Sequence, residues 1–135
     1  MNTGERIRKA RKAAGLTQRA LGEMVGLSAS AIRLYELGKR TPSDEVIGRI
    51  AKALEIAPES LEDYNVESAR DALEVLFRLS EYGIAPCEDG SLKVVADDEK
   101  SRKFQLAIRK WYEAEKALAD GEMSQEGYEY WMQRF

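Results

Sequence analysis

Apolar residues recur at helical spacing along most of this chain, broken at Gly, Pro and hydroxyl residues. Thr3 to Ala14 reads as a first helix, with Ile7, Ala10 and Ala14 on one face and Gly15 just past its end. Thr17 is a candidate N-cap, since its hydroxyl can accept from an unpaired backbone N–H. Ala20, Leu21 and Met24 then define one apolar face of a second helix. Gly26 stands where a chain leaving a helix needs positive φ, Leu27 is the apolar residue of the turn, and Ser28 is the next N-cap. Ala31, Ile32 and Tyr35 line the inward side of a third helix over 28–37, which Gly38 closes and Pro42 forbids from continuing. Ser43 caps a fourth helix whose buried stripe is Val46, Ile47, Ile50, Ala51 and Leu54. Pro58 suits a first helical turn, so 58–63 is expected to be a short fifth helix, with Leu61 closing the core.

Tyr64 and Asn65 mark a boundary without a Gly/Ser/Pro-rich tract. From Val66 a new helix is expected, with Ala69, Ala72, Leu73, Leu76, Phe77 and Leu79 at helical spacing and an end at Gly83. The period changes over 84–95, where Asp89-Gly90 predicts the tip of a two-residue β-hairpin, with Cys87 opposite Leu92 and Ala85 opposite Val94. Asp97 to Ala119 reads as a long helix, and Ser124 caps a last one carrying Tyr128, Trp131, Met132 and Phe135. The expected architecture is mainly α: a five-helix domain over 1–63, then a small α+β region over 66–135 of helix, hairpin and two helices.

Two helices joined by a turn of about four residues including a Gly form a helix-turn-helix, whose second helix can enter a major groove. The ordered set Arg11, Gly15-Leu16-Thr17-Gln18, Gly26-Leu27-Ser28, Ile32, Tyr35-Glu36, Gly38-Lys39-Arg40 and Pro42, followed by Ile50-Ala51-Lys52-Ala53-Leu54, resembles the Cro/C1-type (XRE-family) domain of phage repressors and bacterial regulators. The resemblance spans roughly residues 3–63 and implies a lambda-repressor-like DNA-binding fold. It implies that Gln18 contacts the phosphate backbone while buttressing the third helix, that Lys39 and Arg40 approach phosphates from the following loop, and that Thr17 and Arg19 assist. It also implies a structural ion pair between Arg11 and Glu36. Ser28, Ala29, Ser30, Arg33 and Leu34 lie on the recognition helix. Arg33 is its one long donor and suits guanine O6 and N7, Ser30 is promiscuous, and Ala29 and Leu34 can meet only a thymine methyl. Direct readout is therefore expected to be thin, with DNA shape carrying part of the specificity. Leu34 as a core residue, and a domain that has lost base reading, are the alternatives. A second resemblance, to the SHOCT oligomerisation module, rests on Leu118, Gly121-Glu122-Met123-Ser124 and Tyr128; Gly127 departs from that pattern.

Charge sharpens this picture. The net charge is −3, but residues 1–40 hold nine Lys/Arg against three Asp/Glu, and residues 61–135 hold ten against seventeen. Positive charge thus coincides with the motif expected to meet a polyanion. The chain has no His, no Gly-rich phosphate loop and a single cysteine, Cys87. No catalytic residue, metal or cofactor is expected, and a reduced cytoplasmic setting without membrane association is the simplest one. The expected function is that of a sequence-specific double-stranded-DNA-binding transcriptional regulator, a repressor by family habit. A protein-binding adaptor with the same fold and an antitoxin using its acidic half are the rivals. Phe77, Phe104, Trp111, Trp131 and Phe135 exceed what a hairpin and three helices easily hide, which points to oligomerisation, as a homodimer, through the second half.

Overall fold

The structure is a computed structural model that describes residues 1–135. It is mainly helical, with seven α-helices and one two-stranded antiparallel sheet, and divides into two units.

The first unit comprises Met1–Tyr64 together with Ser124–Phe135. It contains α1 (Thr3–Ala13), α2 (Gln18–Val25), α3 (Ala29–Glu36), α4 (Asp44–Leu54), a 3-10 turn (Pro58–Leu61) and, from the far end of the chain, α7 (Gln125–Arg134). Side-chain oxygens start each helix: Asn2 forms a capping box with Glu5, and Thr17, Ser28, Ser43 and Ser124 accept from the N–H groups of Ala20, Ala31, Val46 and Gly127. Each such cap is worth about 1 kcal/mol. Ile7, Leu21, Ile32, Ile50 and Leu61 lose all solvent exposure in the core, each contributing roughly 1.5–3 kcal/mol.

Three expectations change here. Met24 is 55% exposed, and Leu21, Gly22 and Val25 face the core instead. The cause is Gly22, where a Cβ would stand 2.5 Å from the carbonyl oxygen of Leu27. Its absence lets α2 close on the turn with that side inward, which rolls Met24 out. The expected fifth helix over 58–63 is only a four-residue 3-10 turn: the Ser60 N–H and Oγ both donate to the Ala57 carbonyl, and Glu62 is already extended. The last helix, assigned by sequence to the 66–135 region, groups with the first unit. The Ala57 N–H donates to the Gln133 carbonyl at 2.8 Å, and Lys9 pairs with Glu129 at 3.0 Å.

The second unit, Asn65–Met123, holds α5 (Ala69–Arg78), a 3-10 turn (Leu79–Tyr82), β1 (Ile84–Pro86), β2 (Leu92–Val94) and α6 (Glu99–Ala119). The first helix starts later than expected because Ser68 and Asp71 form a capping box. The hairpin register also differs: Ile84, Ala85 and Pro86 pair with Val94, Lys93 and Leu92. The loop is longer than the two residues expected. Gly90 N–H donates to the Cys87 carbonyl, Asp89 accepts from the Ser91 N–H and Oγ, and Gly90 takes φ +85. A turn closed by a left-handed Gly of this kind makes a three-residue loop with a bulge, which slides the pairing by one. Tyr82 packs on Phe104 with ring centroids 5.5 Å apart, and Lys100 lies over the Tyr82 ring.

Candidate nucleic-acid interface

The turn between α2 and α3 is set by local chemistry. Gly26 adopts φ +72 at the C-cap, the Leu27 N–H returns to the Gly22 carbonyl at 2.8 Å, and the Ser28 hydroxyl receives the Ala31 N–H. With Ala31, Ile32 and Tyr35 buried, the opposite side of α3 is turned outward. Ser28, Ser30 and Arg33 are exposed there, while Ala29 and Leu34 are half-buried. Leu34 thus stands between the two roles considered for it. The helix ends in an αR Leu37, and the N–H groups of Lys39 and Arg40 both return to the Leu34 carbonyl. That fold-back holds Lys39 and Arg40 exposed at the end of α3, with the Arg40 guanidinium 5.7 Å from the Tyr35 ring centroid.

Behind α3 lies a buried polar network. Arg11 donates through Nε and Nη2 to Glu36 Oε1 and Oε2 at 2.5 and 3.0 Å, and its Nη1 reaches the Leu16 carbonyl at 2.8 Å. The two side chains retain only 10% and 3% exposure. Gln18 Nε2 donates to the same Glu36 Oε2 at 3.0 Å, so one carboxylate ties α1, the start of α2 and the end of α3 together. Burial opposes ionisation of Glu36, but the bonds from Arg11 and Gln18 and the charges of Arg11 and Arg8 outweigh it and hold its pKa below the ordinary Glu value. The bond to Glu36 likewise raises Arg11, against its burial.

Thr17 is exposed and spends its hydroxyl lone pair on the Ala20 N–H, leaving its own proton to donate outward. Arg19 is exposed and pairs with Glu23 at 3.3 Å. The residues expected to mediate self-association are divided. Phe77 is 59% and Trp111 44% exposed, Phe104 is half-buried against Tyr82, and Trp131 and Phe135 stack on each other in the first unit at 4.9 Å. Sequence reading overlooked Arg8, which acts on Glu36 and shares a cleft with Arg33. Its signal was present: Arg8 sits one helical turn before Arg11 on α1.

The fold and this surface define a helix-turn-helix domain. Residues 7–61 match the family described as Helix-turn-helix. Over 64 residues the chain is 44% identical to repressor protein C2 of Salmonella phage P22, covering 45% of this chain and 30% of that protein. Over 61 residues it is 36% identical to the cryptic phage CTXphi transcriptional repressor RstR of Vibrio cholerae serotype O1, covering 45% of this chain and 54% of that one. The chain therefore spans under two thirds of the length of these curated relatives. Among solved structures it is similar to the P22 c2 repressor in complex with synthetic operator 9T in the presence of Tl+, with 40% identity over 47% of this chain and 96% of that one, and a TM-score of 0.45. No helix is long and apolar enough to cross a membrane.

Proposed function

We propose that this chain is a sequence-specific, double-stranded-DNA-binding transcriptional regulator of the repressor kind, which lays α3 in a major groove. The observation that carries the proposal is the outward side of α3, exposed at Ser30 and followed by the exposed Lys39 and Arg40, on a segment whose relatives are named repressors. Ala29, Ser30 and Leu34 face base edges in this reading. Ser30 donates or accepts, and Ala29 and Leu34 meet thymine methyls. Gln18, Lys39 and Arg40 contact phosphates and set the register, with Thr17, Arg19 and Ser28 beside them. The cytoplasm is the matching location. No catalytic step, metal or cofactor is invoked.

The test is a salt titration of duplex binding, using sites selected from a random library by the full chain. Log affinity falls linearly with log salt, by ~0.9 per phosphate neutralised. Lys39→Ala weakens selected and scrambled duplexes alike and lowers that slope by about one. Binding without any sequence preference would favour the adaptor reading, and a slope untouched by Lys39→Ala would remove that residue from the footprint.

A homodimer is the second element of this proposal. Within 65–123 only Ser101 and Ala114 are buried, while Leu73, Phe77, Leu106 and Tyr112 are 46, 59, 57 and 67% exposed. Large apolar side chains left open to this extent mark an interaction surface. A second copy as the occupant also suits DNA reading, because paired recognition helices lie one turn of DNA, ~34 Å, apart on two-fold sites. Sedimentation of the full chain as a dimer is expected, and a monomer at tens of micromolar, within the weak-affinity range, would refute it.

A further inference from the structure

A cleft of about 200 Å³ opens between α1, the start of α2 and the end of α3, lined by Arg8, Arg11, Gln18, Arg33, Glu36 and Leu37. Three guanidinium groups share it with one carboxylate. That carboxylate is already committed: Glu36 accepts two bonds from Arg11 and one from Gln18. Arg8 and Arg33 remain exposed on its lip, with no carboxylate bonded to either. With three guanidinium groups against one carboxylate, the cleft carries an excess of positive charge that favours a further anion. Gln18 has one amide proton on Glu36 and keeps a second N–H to donate.

We infer that this cleft is a cradle for one phosphodiester of the DNA backbone, in which Arg8 and Arg33 grip the phosphate oxygens and Gln18 supplies a third donor. The inference rests on the DNA-binding reading above and assigns Arg33 to the backbone in place of the guanine contact expected from sequence. The placement of Arg33 on α3 supports it. Arg33, Glu36 and Leu37 stand at i, i+3 and i+4, so they share the side of the helix that lines the cleft. A planar guanidinium fork matches phosphate geometry, and two forks with one amide satisfy a tetrahedral oxyanion from several directions. Base reading then falls to Ala29, Ser30 and Leu34 alone. Glu36 becomes a positioning residue, which aims Gln18 by holding one of its two amide protons.

The test uses the full chain with Arg8→Ala, Arg33→Ala and Arg33→Lys, measured on a library-selected duplex and a scrambled duplex between 50 and 200 mM salt. Both arginines are exposed; Arg33→Ala keeps the parent melting curve, and Arg8→Ala, which also removes a charge acting on Glu36, is assayed well below its own Tm. Arg33→Ala is expected to weaken both duplexes by the same factor. Its deficit against the parent shrinks by about 3.5-fold across this range, the change set by one phosphate contact. Arg8→Ala behaves likewise, and Arg33→Lys restores most of the slope, since a point charge still serves a phosphate. Loss of preference at one base pair of each half-site, with the slope intact and no rescue by Lys, would show that Arg33 reads a guanine and overturn the inference while leaving the DNA-binding reading standing. An unchanged slope in Arg8→Ala would equally overturn it. A parent chain without salt-dependent duplex binding would instead refute the DNA-binding reading, and this inference with it.

Discussion

Truncating Glu36 to Ala tests the network that joins α1, α2 and α3. The substitution removes the acceptor of both Arg11 bonds and of the Gln18 bond, and leaves the Arg11 guanidinium with only the Leu16 carbonyl. Since the Arg11 side chain is 10% exposed, water cannot replace the carboxylate well. Breaking a buried pair by removing one partner costs ~3–5 kcal/mol, far more than the net value of the intact pair, because an uncompensated charge stays behind. A unit of about 75 residues has ~4–11 kcal/mol of stability in total. The variant should therefore lose a large fraction of it, and its Tm should fall by ~12–40 °C at the usual ~4–8 °C per kcal/mol for this size. Arg11→Met combined with Glu36→Leu should recover most of the loss, as neither charge is then buried alone. Urea unfolding followed by far-UV circular dichroism measures all three proteins. A loss below ~1 kcal/mol for Glu36→Ala, the value of a surface pair, would refute the reasoning, as would a double variant no better than the single one.

The same carboxylate sets an acid limit. The folded pKa of Glu36 lies below its ordinary 4.5, so its contribution is fully present above that value and is lost as pH falls through the folded pKa. The parent Tm should drop below about pH 4.5, and Glu36→Gln should flatten that part of the profile; equal slopes in the two proteins would exclude Glu36 as the cause. Gly22→Ala should cost ~1–3 kcal/mol by overpacking, because the added Cβ meets the Leu27 carbonyl oxygen at 2.5 Å. Gly48→Ala, on α4 with nothing within 4 Å of its added Cβ, should stabilise by ~0.5–1 kcal/mol; chemical unfolding of the pair checks the contrast. Ending the chain at Met123 should lower the first unit's melting temperature by several degrees, since it strands the Ala57 N–H and breaks the Lys9–Glu129 pair; thermal melts of the two lengths decide it.

Features that depend on a few neighbouring residues were legible in the sequence. The caps at Thr17, Ser28, Ser43 and Ser124, the left-handed Gly26 and the inward stripes of α3 and α4 follow from backbone chemistry within one turn of helix, which any fold must satisfy. The Arg11–Glu36 pair was legible only because an ordered set of residues resembled a known family; their separation of 25 positions carries no local signal. What needed the tertiary structure is whatever depends on surfaces meeting across the chain. Helical period placed Met24 on the apolar face of α2, and the close approach at Gly22 turned Val25 inward in its place. Asp89-Gly90 announced a turn, while side-chain bonds from Asp89 to Ser91 decided its length and so the register. Its apolar face assigns the last helix to self-association within 66–135, whereas it groups with the first unit, where a backbone bond from Ala57 to Gln133 and the Lys9–Glu129 pair hold it. The cleft holding Arg8 and Arg33 likewise exists only once α1 crosses the end of α3. Local rules act through bond geometry and are written residue by residue, whereas docking is chosen by shape and desolvation summed over residues far apart in the chain.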